Sequence, residues 1–326
     1  GFKAQRDWLL KRMLTLKKVI KKTGQSVRII ENKSEILESA QVLYNKLTSE
    51  LGCELLLIAD GNDIIVAQTT GVQNIDDYSQ RDFGRPMRDA FVGMLPPKLA
   101  QIMINLAGPT EDATIFDPFC GTGVVLQEAL LMGYQAYGTD LAEKMIDYSE
   151  GNLKWLETEY TASVRRSEPA HETESPSLTQ DGEPKWYVEQ ADATSHRWDF
   201  SKTKHQTSNI HVACEVYLGT PLSSLPDHKK LVQIMNEAND ITEKFLKNLA
   251  PQIETGTRLC LALPAWHAPG SPSLRPGDSF LHLKMLDHLA DLGYNRLEFA
   301  HVKKSELIYH RTDQIVAREL TILEKN

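Results

Sequence analysis

"ATIFDPFCGTGVVLQEALLMGYQAYGTDL", Ala113 to Leu141, holds in order an apolar run, a turn bracketed by glycines, a second apolar run of helical period and a strand-like run ending on an acid. That order predicts strand, tight turn, helix and strand, the first half of a parallel βαβ unit. Gly121 and Gly123 lack a Cβ, so the backbone there can turn sharply and approach a ligand closely. The turn is not a dinucleotide fingerprint, because the third position after Gly123 is Leu126, and no Gly-Lys-Ser/Thr ending marks a Walker loop. Asp117 and Pro118 precede it. A carboxylate at that point repels pyrophosphate and pairs with an ammonium group.

Working outward, strand-like and helix-like runs alternate to the end of the chain. Helices are expected from Val124 to Met132, Ala142 to Leu156, around Leu231 to Leu249 and around Phe280 to Leu292. Strands are expected at "TIFDPF", "QAYGTD", "WYVEQAD", "IHVACEV", "RLCLALP", "RLEFAHV" and "QIVARELTIL". This alternation predicts an α/β doubly wound parallel sheet. The last two strands lack room for a crossover helix and are expected to pair antiparallel. In such a sheet the ligand crevice lies at the carboxyl ends of the strands, where the strand order reverses. Asp140 ends the second strand and can accept both hydroxyls of a ribose. Asp192 follows the third and can take a hydrogen bond from an adenine amino group. An adenosine bearing an amino acid satisfies all three acids, and S-adenosylmethionine is that compound.

Upstream, "DWLLKRMLTLKKVIKK" reads as an amphipathic helix, "SVRIIE" as a strand and "SEILESAQVLYNKLTSELG" as a helix. "CELLLIAD" and "DIIVAQTT" flank the turn "GND" as a hairpin. This small α/β module ends near residue 75, and a connector over 76–110 becomes helical after Pro96-Pro97. The stretch from Glu157 to Pro184 is rich in Glu, Ser, Thr and Pro and reads as a solvated insertion, with Arg165 and Arg166 as its substrate-touching alternative.

The net charge of −8 over 326 residues argues against a globally basic nucleic-acid coat. The charge is uneven, however: the first sixty residues hold 11 Lys/Arg against 7 Asp/Glu. The basic helix from Lys11 to Lys22 suits backbone phosphates, with Arg81, Arg85 and Arg88 as an extension of that track. Four cysteines lie far apart, without CxxC or zinc spacing, so no metal site is expected and thiols reduced in a cytoplasmic chain are the simplest reading. No apolar run approaches the roughly 20 residues that span a bilayer, and no targeting pattern stands out. The chain opens on Gly1 rather than Met, so further residues are expected upstream.

"DPFCGTG" and the wider "YSQRDFGRPMRDAFVGMLPPKLAQIMINLAG…IFDPFCGTG" resemble the THUMP-linked tRNA guanosine N2-methyltransferases. The first seventy-odd residues are similar to the later part of a THUMP domain, an RNA-binding module. The resemblance implies a class I methyltransferase fold over 111–326, S-adenosylmethionine as cofactor and tRNA as partner. It makes Asp117, Phe119, Gly121, Gly123, Asp140, Leu141, Asp192 and Ala193 cofactor contacts, with Pro96, Pro97 and Lys98 capping the methionine end. In this family the fourth strand ends in an Asp/Asn-Pro-Pro-aromatic tetrad. An amine conjugated to its ring is a poor nucleophile. A side-chain acceptor and a backbone carbonyl must therefore localise its lone pair, while the aromatic ring stacks on an extruded base. Here the stretch is "HVACEVYLGTPL": Glu215 supplies the acceptor, Tyr217 the stacking face, and Gly219 close approach. The prolines are absent, with Val216 at one of their places and Cys214 or Glu215 where the family has Asp. Two alternatives stay open, an adenine N6-methyltransferase of DNA and an RNA-binding protein that has lost the chemistry. Tyr309 and Arg311 are expected in the closing hairpin, at the substrate mouth or in strand packing.

Overall fold

The computed structural model describes residues 2–31, 36–61, 63–89, 94–161, 179–180, 183–203, 209–222, 224–267, 279–311 and 314–326. It divides into two units, Gly1–Gln80 and Arg81–Asn326.

In the first unit, helix α1 spans Phe2–Lys21 and a short α2 spans Ser39–Tyr44. Strands β1 (Leu55–Asp60) and β2 (Asp63–Gln68) form the expected hairpin, in register from Leu55↔Gln68 to Asp60↔Asp63. Gly61 takes φ 61° in its turn, a conformation costly for a residue with a Cβ. Two expectations fail here. Residues 26–31 form no regular element and join no ladder. The long helix expected over 34–52 shrinks to α2, because Asn45 Nδ2 donates to the Gln41 carbonyl at 2.8 Å and Lys46 turns left-handed at φ 54°. The Gln41 carbonyl accepts from both the amide and the side chain of Asn45, and the positive φ one residue later ends the helix.

In the second unit, α3 (Ile75–Phe83, entering from the first) and α4 (Pro97–Ala107) lead to β3 (Thr114–Asp117), α5 (Val124–Leu131), β4 (Gln135–Asp140) and α6 (Glu143–Trp155). Then come β5 (Trp186–Gln190), β6 (Ile210–Glu215), α7 (His228–Leu249), β7 (Arg258–His267), β8 (Tyr294–Arg296) and β9 (Val316–Lys325). The sheet order is β5-β4-β3-β6-β7-β9-β8, with short additions at Phe280–Leu281 on β7 and Ile308–Tyr309 on β9. From β5 to β7 every neighbour is parallel. β9 runs antiparallel to β7 and to β8. This is the doubly wound sheet with a reversed final strand that was expected. The chain lays β3, β4 and β5 in one direction and returns to place β6 on the other side of β3. The strand order therefore reverses between β3 and β6.

Successive β3 residues serve the two faces. Ile115 packs with Leu99, Met103, Leu126 and Leu130 from α4 and α5. Phe116 packs with Tyr137, Trp198, Phe200 and the α7 residues Phe245 and Leu246. Burial on both faces explains why these strands read as unbroken apolar runs.

Two further expectations change. Phe280 to Leu292 is not a helix but a bridge to β7 followed by 3₁₀ turns at Lys284–Asp287 and Leu289–Leu292. The amide of Met285 donates to Asn239 Oδ1 of α7 at 2.9 Å, instead of to a carbonyl one helical turn earlier. The insertion begins later than Glu157, since α6 continues as a wider π-type turn over Leu156–Tyr160, whose Leu156 and Tyr160 are buried. Arg165 and Arg166 lie outside the described residues. Asp227 caps α7 by accepting from the Lys230 amide at 3.0 Å. Asp227→Ala should cost about 1 kcal/mol and lower Tm in a thermal melt by roughly 2–4 °C.

Candidate functional site

A cavity of about 820 Å³ opens at the carboxyl ends of β3, β4, β5 and β6, around the point where the strand order reverses. Its walls include Asp117, Asp140, Asp192, Glu215 and Tyr217, so five residues from four separate stretches of sequence meet in one place. Phe119, Gly121, Leu141 and Ala193 line it as well.

The glycine turn is held from several sides. Gly121 N donates to Asp140 Oδ2 at 3.0 Å, and Ala142 N donates to Asp140 Oδ1 at 2.9 Å. Ser149 of α6 donates to the Gly121 carbonyl at 2.8 Å, and Asn152 donates to that of Thr122 at 2.9 Å. Gly123 stands apart from its predicted role, because it is not on the cavity wall. It caps α5 with φ 80°, and a Cβ there would lie 3.0 Å from Ser149 Oγ. Its lack of a side chain admits α6, not a ligand. Pro97 also departs from expectation. It is buried in the first turn of α4, Pro96 is the extended cap, and Lys98 is exposed. The wall is made instead by Met94 and Leu95, which precede the helix.

The electrostatics are those of an acidic pocket. Asp117 is 2% exposed and accepts from the Phe119 amide at 3.0 Å. Burial drives its carboxyl well above the ordinary range, the Phe119 amide opposes this, and the charges of Asp140 and Glu215 add to it. Burial also raises Asp140, against the pull of its backbone donors. At the exposed end, the Thr194 hydroxyl and amide lower Asp192. A cation placed among these groups relieves their mutual repulsion, and an anion worsens it.

Glu215 ends β6, where burial raises its carboxyl above the ordinary range against the opposing pull of Arg318 of β9. Arg318 Nε donates to Glu215 Oε1 at 2.5 Å. Tyr217 is half-buried, packs on the core below α7, and its hydroxyl donates to Glu237 Oε1 at 3.3 Å. Gly219 takes φ 87°, and a Cβ there would meet Ile234 at 2.8 Å. α7 adds Glu237, Ile241 and Lys244 to the wall, spaced so that one face of the helix lines the cavity.

The expected phosphate track is corrected in part. Arg81 and Arg85 are buried, at 7% and 3% exposure. Arg81 Nε donates to Glu128 Oε1 at 2.8 Å, and its Nη1 donates to the Tyr160 hydroxyl at 2.7 Å. Arg88 is exposed and sits over the Phe83 ring. Tyr309 packs on the core and is not on the cavity wall, and neither is Arg311. Sequence reasoning missed Arg318, Ser149, Asn152 and the α7 residues. For α7 a signal existed, since Glu237, Ile241 and Lys244 recur at helical spacing, but a solvated face has the same pattern.

Residues 85–178 match the family model described as UPF0020, RMKL-like, methyltransferase domain. A tRNA (guanine(10)-N2)-dimethyltransferase of Methanothermobacter thermautotrophicus is 43% identical over 72 residues, 22% of this chain and 21% of that protein. Its namesake in Pyrococcus abyssi is 42% identical over 76 residues, 23% of this chain and 21% of that protein. The matched stretch thus spans about a fifth of the length of these curated relatives. A SAM-dependent methyltransferase structure from Methanosarcina mazei is 17% identical with a TM-score of 0.37, covering 69% of this chain and 96% of that one. The resemblance read from "DPFCGTG" and its flanks agrees with these matches. No helix among the described residues is long and apolar enough to cross a membrane.

Proposed function

We propose that this chain, with its RMKL-like methyltransferase match over residues 85–178, is an S-adenosylmethionine-dependent N-methyltransferase acting on an exocyclic base amine in RNA, guanine N2 of tRNA being the target. The observation that carries this reading is the meeting of Asp117, Asp140 and Asp192 with Glu215 and Tyr217 around one cavity. The residues fit the cofactor by their chemistry. Asp117, buried among other carboxylates, suits its ammonium group, Asp140 its ribose hydroxyls and Asp192 its adenine amine. Phe119, Leu141 and Ala193 supply apolar wall, and the Gly121 backbone leaves room beside the ribose. When bound, the cofactor would supply an electrophilic methyl carried on a sulfonium, with a neutral thioether as the leaving group. Tyr217 offers a stacking face for an unstacked base. Glu215 Oε2 accepts a hydrogen of the base amine, localises the nitrogen lone pair and takes the proton that the methylated nitrogen sheds.

The guanine and tRNA parts of the reading rest on the names of the two archaeal relatives, both tRNA (guanine(10)-N2)-dimethyltransferases. The N-terminal unit supports an RNA partner through its THUMP-like resemblance and through α1, where Lys11, Lys18 and Lys21 are exposed.

Two measurements test it. Labelled methyl transfer to matched tRNA, DNA and protein pools should show incorporation into tRNA alone, and incorporation into DNA instead would overturn the substrate. In calorimetry with S-adenosylhomocysteine, Asp140→Ala should weaken binding roughly 10- to 100-fold, the worth of hydrogen bonds to a charged acceptor. Binding without transfer to any pool would leave an RNA-binding protein with a disused pocket.

A further inference from the structure

Glu215 is held by a residue 103 positions away in the chain. Arg318 lies on β9 opposite Pro264 of β7, while Glu215 ends β6 opposite Ala262 of the same strand. The guanidinium therefore reaches across β7 to the tip of β6. The Arg318 side chain is 6% exposed and that of Glu215 18%. Nε holds Oε1, and Nη1 is steadied by Gln314 Oε1 at 3.4 Å. Among the described residues no donor lies on Glu215 Oε2, and Glu215 lines the cavity while Arg318 does not. The turn that follows Glu215 carries Val216, Tyr217, Leu218 and Gly219, with no proline before Pro221 to stiffen it.

We propose that Arg318 is a positioning residue for methyl transfer: it clamps one oxygen of Glu215 so that the other faces the base amine, a task the turn itself has no proline to perform. The inference rests on the methyltransferase reading and goes beyond it by naming what orients the acceptor. An arginine suits the task because its planar fork fixes direction as well as charge. The other charged and titratable groups near Glu215 work against it or lie elsewhere. Asp117 of β3 and Asp140 of β4 are acidic, Cys214 is a buried neighbour on β6, and Glu237 is bonded to Tyr217. Lys244 of α7 acts on Asp192 at the far end. Removing the Arg318 charge therefore leaves Glu215 among acids alone, where it protonates more readily.

The test is a single-turnover pH–rate profile of the full chain on tRNA, for the wild type and Arg318→Gln. The acid limb should move to higher pH by about one to three units, and the plateau above it should also fall, because the fork is lost together with the charge. At a pH below both limbs each unit appears as a tenfold loss, while affinity for S-adenosylhomocysteine is unchanged. Arg318→Lys keeps the cation but not the fork, so its limb should stay near the wild type and its plateau should fall. Should Arg318→Gln fold poorly, the double variant Glu215→Gln/Arg318→Gln contains no unpaired charge, and it should lose less rate relative to Glu215→Gln than Arg318→Gln loses relative to the wild type. Infrared spectra give a readout independent of activity: Arg318→Gln near neutral pH should show a protonated-carboxyl band that Glu215→Gln removes. A rate lowered evenly at every pH with no shift of the limb, or a double variant that loses as much against Glu215→Gln as Arg318→Gln loses against the wild type, would overturn the proposal while sparing the methyltransferase reading. A wild type that transfers nothing to any RNA would remove both.

Discussion

Glu215→Gln should lower methyl transfer to tRNA by about 10²–10⁴-fold, the usual worth of a positioned acid or base, while cofactor affinity stays near that of the wild type. Glutamine keeps the length of the side chain and a carbonyl oxygen for Arg318, so the clamp and the buried arginine still have a partner. It loses the negative charge, and with it the ability to carry away the proton of the methylated amine. Single-turnover rates separate this step from product release, and calorimetry with S-adenosylhomocysteine confirms that the pocket is intact. A variant within about threefold of the wild-type rate would show that an amide acceptor suffices and that the proton leaves by another path. Glu215→Ala is the poorer experiment, because it strands the Arg318 charge, and an uncompensated buried charge destabilises in its own right.

Arg81→Met should be the costliest change to stability, about 3–5 kcal/mol. Arg81 lies in the last turn of α3, in a pocket made by α4, α5 and the turn after α6. Glu128 of α5 is 1% exposed and shares its oxygens between Arg81 at 2.8 Å and Gln101 at 2.6 Å. Tyr160 completes the cage, with Arg81 also 5.8 Å from its ring centre. Removing the cation leaves Glu128 buried beside an apolar side chain, which is where the cost arises. The unit unfolds roughly 2–4 °C earlier for each kcal/mol lost, so Tm should fall by roughly 6–20 °C. The double variant Arg81→Met/Glu128→Leu should recover most of this, since well-packed apolar residues replace buried ion pairs at little cost. A loss below about 1 kcal/mol for the single change would mean that water reaches the pair and screens it as on a surface.

Arg81 also shows where reading the chain as a line misleads. Beside Arg85 and Arg88 it looks like part of a basic track for phosphates. Two of the three arginines are instead buried, and Arg81 works as an internal tie. The Phe280 to Leu292 stretch misleads in the same way. Its leucines recur closely enough to suggest a helix, yet a side chain from α7 claims the Met285 amide and the chain breaks into short turns. Pro97 is expected at the pocket but is buried in the first turn of α4, while Met94 and Leu95 before it line the cavity.

What the residues by themselves determined is local or periodic. The glycine turn after Asp117, the alternation of strands and helices, the reversed last strand and the acids at the strand tips all follow from patterns a few residues long. Backbone sterics and the 2.0 and 3.6 periods act at that range. What only the tertiary structure decided is which charge meets which. Arg318 and Glu215 are 103 residues apart, and Arg81 and Glu128 are 47 apart. Nothing in either neighbourhood marks the partner. The sheet order sets β9 beside β7 and β7 beside β6, and that juxtaposition converts an ordinary strand arginine into the clamp on the acceptor. Burial then sets how strongly each pair acts, because a charge removed from water depends on the one partner it is given.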